Sequence, residues 1–502
     1  MDAPALKVYR NHLADVLPHG QFVGGDDIHF TSCSADSRVC RSGDVFVAMV
    51  GTGSDGHHFV AEAVRNGAKA VVAERLVPTH GTPVCIVPDA RVAYGQICQH
   101  LAGNPSRRMK LVGVTGTNGK TSTSLLIQSV FKVAGIRSGV MGTLGYFDGG
   151  QTGTAVLTTP GGHVLADYLA RMLANGCTHG VVEVSSHALA QSRTAGIQFD
   201  TACVTNVRRD HLDFHGSLAN YRNAKARLFR QVRSSGVAVV NVDDPVCRQF
   251  LEEIEVPALS IGMRQPAEVT ARLLERIPSE QTFLLQCGSD AIPVRTRIVG
   301  DHHIYNCLSA TAVGLSYEID LPTIVRGLEA VDCIPGRMQR IECGQPFRVF
   351  VDYAHTADGL RASLMALREM TAGRLICVFG AGGHRDRNKR PLMGRQVTTF
   401  ADMAVVTNDN PRGEDSGRII ADILEGMDET IEVCVQPDRA AAIDAALSTA
   451  AEGDCVLIAG KGHETYQIVG SRRIWFDDVE IAKSRLQEMF PPAVPFVPRR
   501  AA

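Results

Sequence analysis

None of the 14 cysteines stands in a CxxC pair, and 51 lysines and arginines nearly cancel 53 aspartates and glutamates over 502 residues. Each shortage excludes something. Cysteines scattered singly, many in apolar runs as Cys85, Cys203, Cys377 and Cys455 are, read as buried thiols in a reducing compartment and argue against a disulfide framework or a structural zinc site. A formal net charge of -2 gives neither a nucleic-acid footprint nor a polybasic membrane surface, so any anionic ligand must be held locally. No stretch approaches about 20 uninterrupted apolar residues, and the opening MDAPALKVYRNHLADVL lacks a long apolar core. The expectation is a cytoplasmic protein without membrane insertion or a nucleic-acid partner. At this length one ordinary core does not suffice, and about three domains are expected.

What is present is organised around residues 110–123, KLVGVTGTNGKTST. A short apolar run breaks into Gly116, Thr117, Asn118, Gly119, Lys120, Thr121 and Ser122, the composition of a strand-to-helix phosphate loop. Glycines let backbone N–H groups converge on a phosphate, Lys120 supplies a point charge, the Thr121 hydroxyl suits Mg²⁺, and a helix opening there favours an anion. Val114 occupies the place of the first glycine of a strict motif, so Gly-Lys-Thr carries the reading. A nucleoside triphosphate is expected here.

Around it the chain alternates strands and helices, which predicts a mostly parallel sheet covered on both faces. In the first block, Asp36-Ser37-Arg38 is by spacing alone an ordinary surface turn. In the second, Leu157-Thr158-Thr159-Pro160-Gly161 is a hydroxyl-rich turn. Glu183, at the carboxyl end of a buried-looking strand, suits either Mg²⁺ or the cap of the next helix. The stretch 206–216, with Asp210, His211 and Asp213, reads as metal ligands or as a solvated turn. Lys225, on a helix predicted over 221–229, is taken alone a snorkelling surface lysine. Gly300 to Asn306 enters a helix rich in small residues, and the stretch between 261 and 300 looks variable.

A Pro-Gly turn at 334–338 marks a second boundary. Beyond it, strands are predicted at 348–351, 375–379, 403–407 and 455–459, each ending in polar residues: Asp352-Tyr353-Ala354-His355, residues 380–386, Asn408-Asp409-Asn410-Pro411-Arg412, and Gly460-Lys461-Gly462-His463-Glu464. In open parallel sheets ligands bind beyond the carboxyl ends of strands, so these four loops should converge on a second binding face. The proline-rich tail after Pro491 reads as loosely ordered.

Taken together and in this order, these motifs resemble the Mur ligase family. Its members are ATP-dependent enzymes that add amino acids to the UDP-N-acetylmuramic acid precursor of peptidoglycan. The chain is similar to the branch that adds meso-diaminopimelate to UDP-N-acetylmuramoyl-L-alanyl-D-glutamate. The resemblance runs from about Asp36 to Tyr466. It implies an α/β fold of three domains: a UDP-sugar-binding domain over 1–104, a central ATP-binding domain with a parallel sheet over 105–335, and a Rossmann-like amino-acid-binding domain over 336–502. It implies ATP as co-substrate, Mg²⁺ as cofactor, and the UDP-muramoyl-dipeptide and the amino acid as small-molecule partners; a monomer is expected, and no motif in the sequence itself gives the oligomeric state. Position by position, it gives Ser37, Thr158, Thr159, Ser185, Gln191 and Arg193 to the UDP-muramoyl-dipeptide. Residues Gly116 to Ser122, Asn306, Arg337 and Asp352 go to ATP, the middle two as adenosine contacts. Glu183 and His211 match magnesium ligands, and Lys225 matches the family's carbamylated lysine, an N6-carboxylysine. Arg390, Asp409, Asn410, Pro411, Arg412, Gly460 and Glu464 match the diaminopimelate pocket. His303 stands where the family usually has asparagine and Ala357 where proline is usual. Addition of lysine, a folylpolyglutamate-synthase-like ligase and a nucleotide-dependent regulator are the competing readings.

Overall fold

The structure is a computed structural model and describes residues 11–51 and 53–491; the proline-rich tail lies outside the described residues. Three large sheets carry the chain. The first, within residues 21–86, has parallel strands Val84–Ile86, Ala70–Ala73, Asp44–Val47 and Ser32–Ser34, with Gln21–Val23 antiparallel at one edge. The second is eleven-stranded. Lys110–Thr115 lies at its middle between Phe199–Val204 and His179–Glu183, all parallel. The third has six strands in the order Gln339–Ile341, Arg348–Asp352, Cys455–Ala459, Leu375–Phe379, Met403–Val406 and Glu432–Val435, and only the first pairs antiparallel.

The middle sheet is buried on both faces, as continuous apolar strands require. Side chains alternate along each strand, so Val112, Val114, Val181 and Cys203 join one core with the Lys120–Val133, Asp301–Ser316 and Leu321–Glu329 helices. Leu111, Val182, Ala202 and Val204 point the other way, into a core with Leu165, Leu169 and Tyr221. Placing the Lys110–Thr115 strand at the centre puts its carboxyl end, and the loop that follows, where neighbouring loops can reach it from both sides.

The variable-looking stretch is regular. Val269–Ile277, Glu280–Cys287 and Asp290–Thr296 form an antiparallel meander that extends the middle sheet. Among the described residues no helix is long and apolar enough to cross a membrane.

Candidate active site

The phosphate loop leaves the Lys110–Thr115 strand at Gly116 and enters the Lys120–Val133 helix at Gly119. Both glycines are required by space and backbone. Gly116 has φ +151° and a Cβ there would fall 1.9 Å from Thr205 Oγ1; Gly119 has φ +86° and its Cβ would meet Asn306 Oδ1 at 2.4 Å. The loop is held from the next strand. Asn206 Oδ1 accepts from Asn118 N at 2.9 Å, Asn206 Nδ2 and Thr205 Oγ1 donate to Asn118 O, and Thr117 Oγ1 lies 3.0 Å from Tyr221 Oη. Thr205 and Asn206 were not singled out from the sequence; their signal is position, immediately after a strand adjacent to the phosphate-loop strand. Gly116→Ala is expected to distort this loop, at a cost of about 1–3 kcal/mol, and to raise the KM for ATP more than that for any other substrate, checked by steady-state kinetics.

Lys120 folds back on the loop, donating to Gly116 O and Thr117 O at 2.9 Å each. Burial lowers its pKa, while Glu183 and Asp210 oppose that shift. Thr121 Oγ1 donates to Glu183 Oε2 at 3.0 Å. Glu183 is buried, and its other oxygen accepts from Thr143 N at 3.0 Å. Burial raises its carboxyl pKa, and Lys120 and the hydrogen bonds from Thr143 and Thr121 pull it back. A hydroxyl beside a buried carboxylate is an oxygen-donor pair of the kind a hard divalent cation takes.

His211 opens a short helix in a left-handed conformation, φ +53°, with Nε2 3.3 Å from Asp210 Oδ2 and its ring 4.7 Å from that of His187. Burial drives its pKa down to about 3, so the imidazole is neutral at pH 7 and able to ligate. Lys225 is not the surface lysine that spacing predicts. It is 1% exposed, with Nζ 2.7 Å from Gly116 O beneath the phosphate loop and 4.5 Å from the centre of the Tyr221 ring. The helix face carrying it packs inward because Tyr221 and Ala224 on the same helix are core residues. Burial first, and the Lys120 charge second, hold its pKa well below the ordinary lysine value.

Thr158, Thr159, Ser185, Gln191 and Arg193 form one cluster. Thr159 Oγ1 donates to Glu183 O and accepts from Ser185 N, Thr158 Oγ1 meets Thr143 Oγ1 at 3.0 Å, and Arg193 donates to Thr159 O and Gln191 Oε1. With the phosphate loop, Thr158, Thr159, Ser185 and Arg193 line a cleft of about 740 Å³ that also reaches Arg337, His355 and Arg361. Ser37 is elsewhere, in the first domain, its hydroxyl donating to Glu62 Oε2 at 2.5 Å.

Two expected adenosine contacts sit at the phosphate end. Asn306 Oδ1 accepts from Thr123 Oγ1 at 3.3 Å. Arg337 lies 3.3 Å from Thr121 Oγ1 and stacks 4.4 Å over Tyr353. Asp352 is a brace, accepting from Met338 N, Ala354 N and Ser363 Oγ, and so fixes the 336–338 turn that presents Arg337.

The loops of the third sheet do converge. Arg412, φ +54°, donates from its backbone N to Ile468 O at 2.9 Å and accepts from Gly470 N at 2.6 Å, so the hairpin of strands Tyr466–Val469 and Arg472–Trp475 sets its direction. Its Nη1 donates to Gly383 O. Asn410 Nδ2 and Lys461 Nζ both donate to Glu464 Oε2, at 2.9 and 3.2 Å. Lys461 is fully buried and was named in the sequence only as part of its loop. Arg390 corrects an expectation. Its guanidinium is fully buried and already committed to Glu414 and Asp422 at 2.8–2.9 Å, so it braces the loop that carries Arg412 and is no second free cation for a ligand. Arg390→Ala would take the two-pronged partner from Glu414 and the cation from Asp422 and is expected to lower stability by about 1–3 kcal/mol, seen as a fall in the thermal unfolding midpoint; a rise in KM with unchanged stability would restore the ligand role.

Models of three Mur ligase segments match this chain: the catalytic domain at residues 28–97, the middle domain at 114–314 and the glutamate ligase domain at 336–462. The chain belongs to the Mur ligase family. This Mur ligase is 41% identical over 472 residues, 93% of this chain and 96% of the other, to a protein of Geobacillus thermodenitrificans named UDP-N-acetylmuramoyl-L-alanyl-D-glutamate–2,6-diaminopimelate ligase. It is 40% identical over 467 residues to one of the same name from Syntrophomonas wolfei, covering 92% and 95% of the two chains. A solved structure of a ligase of that name superposes with a TM-score of 0.69 at 31% identity, covering 95% of this Mur ligase and 99% of the other. The three-domain α/β architecture is that of its structural neighbours.

Proposed function

We propose that this enzyme joins meso-diaminopimelate to UDP-N-acetylmuramoyl-L-alanyl-D-glutamate at the expense of ATP. The observation that carries the reading is one cleft that runs from Lys120 to the Thr158 and Arg193 cluster and reaches Tyr353, His355 and Arg385 of the third domain, Tyr353 Oη lying 3.5 Å from Glu464 Oε1. A carboxylate is a poor acceptor for an amine. One of its oxygens attacks the γ-phosphorus of ATP, ADP leaves, and the acyl phosphate is attacked at carbon by the amine; the amine gives up a proton and phosphate departs with the bonding pair. Lys120 offsets charge on the transferred phosphoryl group, Arg337 is placed at the same end, and the Thr159 and Arg193 cluster orients the dipeptide's carboxylate. Enclosure between the second and third domains keeps water from the acyl phosphate. Thr121, Glu183, His211 and, once carboxylated, Lys225 would hold Mg²⁺. Among the described residues no three Asp, Glu, His or Cys side chains form a metal cage, so phosphate and water would supply the remaining oxygens. Bound there, the ion would neutralise phosphate charge. The working unit is a cytoplasmic monomer, with domain limits at 104 and 335.

The test is a coupled assay of phosphate release. Turnover is expected only with ATP, Mg²⁺, the UDP-muramoyl-dipeptide and diaminopimelate together; release that needs a macromolecule or a folate in place of these overturns the reading.

Specificity rests on Arg412. Diaminopimelate ends in a carboxylate beside its amine, whereas lysine ends in the amine alone. A guanidinium held in place by the 466–475 hairpin can take that carboxylate through parallel charge-assisted bonds at little ordering cost. Lysine would leave Arg412 desolvated and unpaired, a loss of several kcal/mol or about a thousandfold in kcat/KM. Arg412→Ala is expected to raise the KM for diaminopimelate strongly and leave that for ATP unchanged. Equal efficiency of the unmodified enzyme with lysine would remove this assignment and spare the ligase reading.

A further inference from the structure

Arg439 is buried at 1% exposure. Its Nε and Nη2 form a two-pronged pair with Asp478, at 2.8 and 2.7 Å, and both side chains are fully buried. A buried ion pair is weak grounds for stability, since apolar residues of similar volume often serve as well. What distinguishes this one is where the other hydrogen atoms go. Nη2 also donates to Ala459 O at 2.9 Å, and Nη1 is 3.4 Å from Asn408 O.

Those two carbonyls stand at the carboxyl ends of the Cys455–Ala459 and Met403–Val406 strands, which are not neighbours. The Leu375–Phe379 strand lies between them. No backbone ladder therefore fixes the spacing of the two loops that follow, 408–412 and 460–464; side chains span it, Asn410 meeting Glu464 and Lys461, and Arg439 meeting one carbonyl on each side. The loops nonetheless come close: a Cβ on Gly460 would lie 2.8 Å from Asp409 Oδ2 and 4.0 Å from Arg439 Nη2. Arg439 is also the first residue of the Arg439–Thr449 helix, the end where the helix dipole disfavours a cation. A local rule is broken there, and the return is a rigid planar group that spans the gap.

We propose that Arg439, oriented by Asp478, is the positioning residue of the amine-substrate site: one guanidinium clips together the two loops that present Asp409, Asn410 and Arg412 on one side and Gly460 and Glu464 on the other. What the loops hold rests on the function proposed above; that the clip sets their placement does not.

Two measurements on the full chain separate these. Arg439→Met/Asp478→Leu removes the clip without leaving a buried charge unpaired, and Arg439→Lys keeps the charge but cannot reach both carbonyls. In both, hydrogen exchange is expected to quicken in 408–412 and 460–464 and to stay unchanged in 116–122. The KM for diaminopimelate is expected to rise on the order of tenfold to a hundredfold, with the KM for ATP unchanged. A folded variant whose two loops exchange as in the unmodified enzyme overturns the clip, as does an unchanged KM for diaminopimelate. If the unmodified enzyme releases no phosphate with diaminopimelate, the functional reading fails alone and hydrogen exchange still decides the clip.

Discussion

Lys120→Met is expected to lower kcat/KM by about a thousandfold, the scale of removing one preorganised charge or donor from a phosphoryl-transfer or acyl-transfer site. The ammonium sits between the phosphate loop and Glu183, partly withdrawn from water, where a charge acts more strongly than at the surface. In this structure its hydrogen bonds go to Gly116 O and Thr117 O; bound triphosphate oxygens would replace those carbonyls at little reorganisation. Methionine keeps the length of the stem, so the loop should fold, and the thermal midpoint should move little. The loss should fall mainly on kcat, because the charge matters most when the γ-phosphoryl oxygens carry the transition-state charge. Turnover within tenfold of the unmodified enzyme would remove the phosphate loop from the chemistry.

How much of this was legible in the chain follows from the range of the forces involved. Strands such as Leu375–Phe379 and Cys455–Ala459 could be read to the residue, because a run of branched apolar residues bounded by Gly or polar groups is a local signal. The phosphate loop could be read for the same reason: its glycines, lysine and threonine are contiguous. The Val269–Thr296 meander was missed because its partly exposed strands alternate with charged residues and lack the apolar density of the central ones. Arg390 and Lys225 were misread for a deeper reason. Whether a cation is free or committed depends on partners far along the chain, Glu414 and Asp422 for one and Gly116 O for the other, and no spacing rule encodes those. Asp352 shows the converse. A residue placed by resemblance near the nucleotide lines the cleft and also holds the 336–338 turn, a role that only its three hydrogen bonds reveal.

Lys225→Ala is expected to be nearly inactive, with kcat lower by about a thousandfold or more, and to be partly rescued by acetate or another small carboxylate. Unmodified, the amine is an ill-suited neighbour for a triphosphate's magnesium. It is fully enclosed, its one hydrogen bond goes to Gly116 O, and the Lys120 charge stands close enough to depress its protonation. Those same conditions favour the free base, which is the form that adds CO₂. The nitrogen lone pair bonds to the carbon, one C=O pair moves onto oxygen, and the proton leaves to solvent, so a neutral amine becomes a carboxylate on the same stem. The sign of the charge then suits the site, and the new oxygens belong to the class that Mg²⁺ prefers. Gly116 O and the Tyr221 ring flank the amine, so a carboxylate built on the lysine stem would lie beside the phosphate loop. In ¹³CO₂-saturated buffer the full-length enzyme should show one slowly exchanging carbamate carbon that is absent from Lys225→Ala. Activity should fall when CO₂ is stripped from the buffer and return when bicarbonate is restored. A Lys225→Ala variant within tenfold of normal turnover, or an enzyme fully active with no carbamate signal, would make Lys225 a buried structural amine and return the magnesium to Thr121, Glu183 and His211 alone.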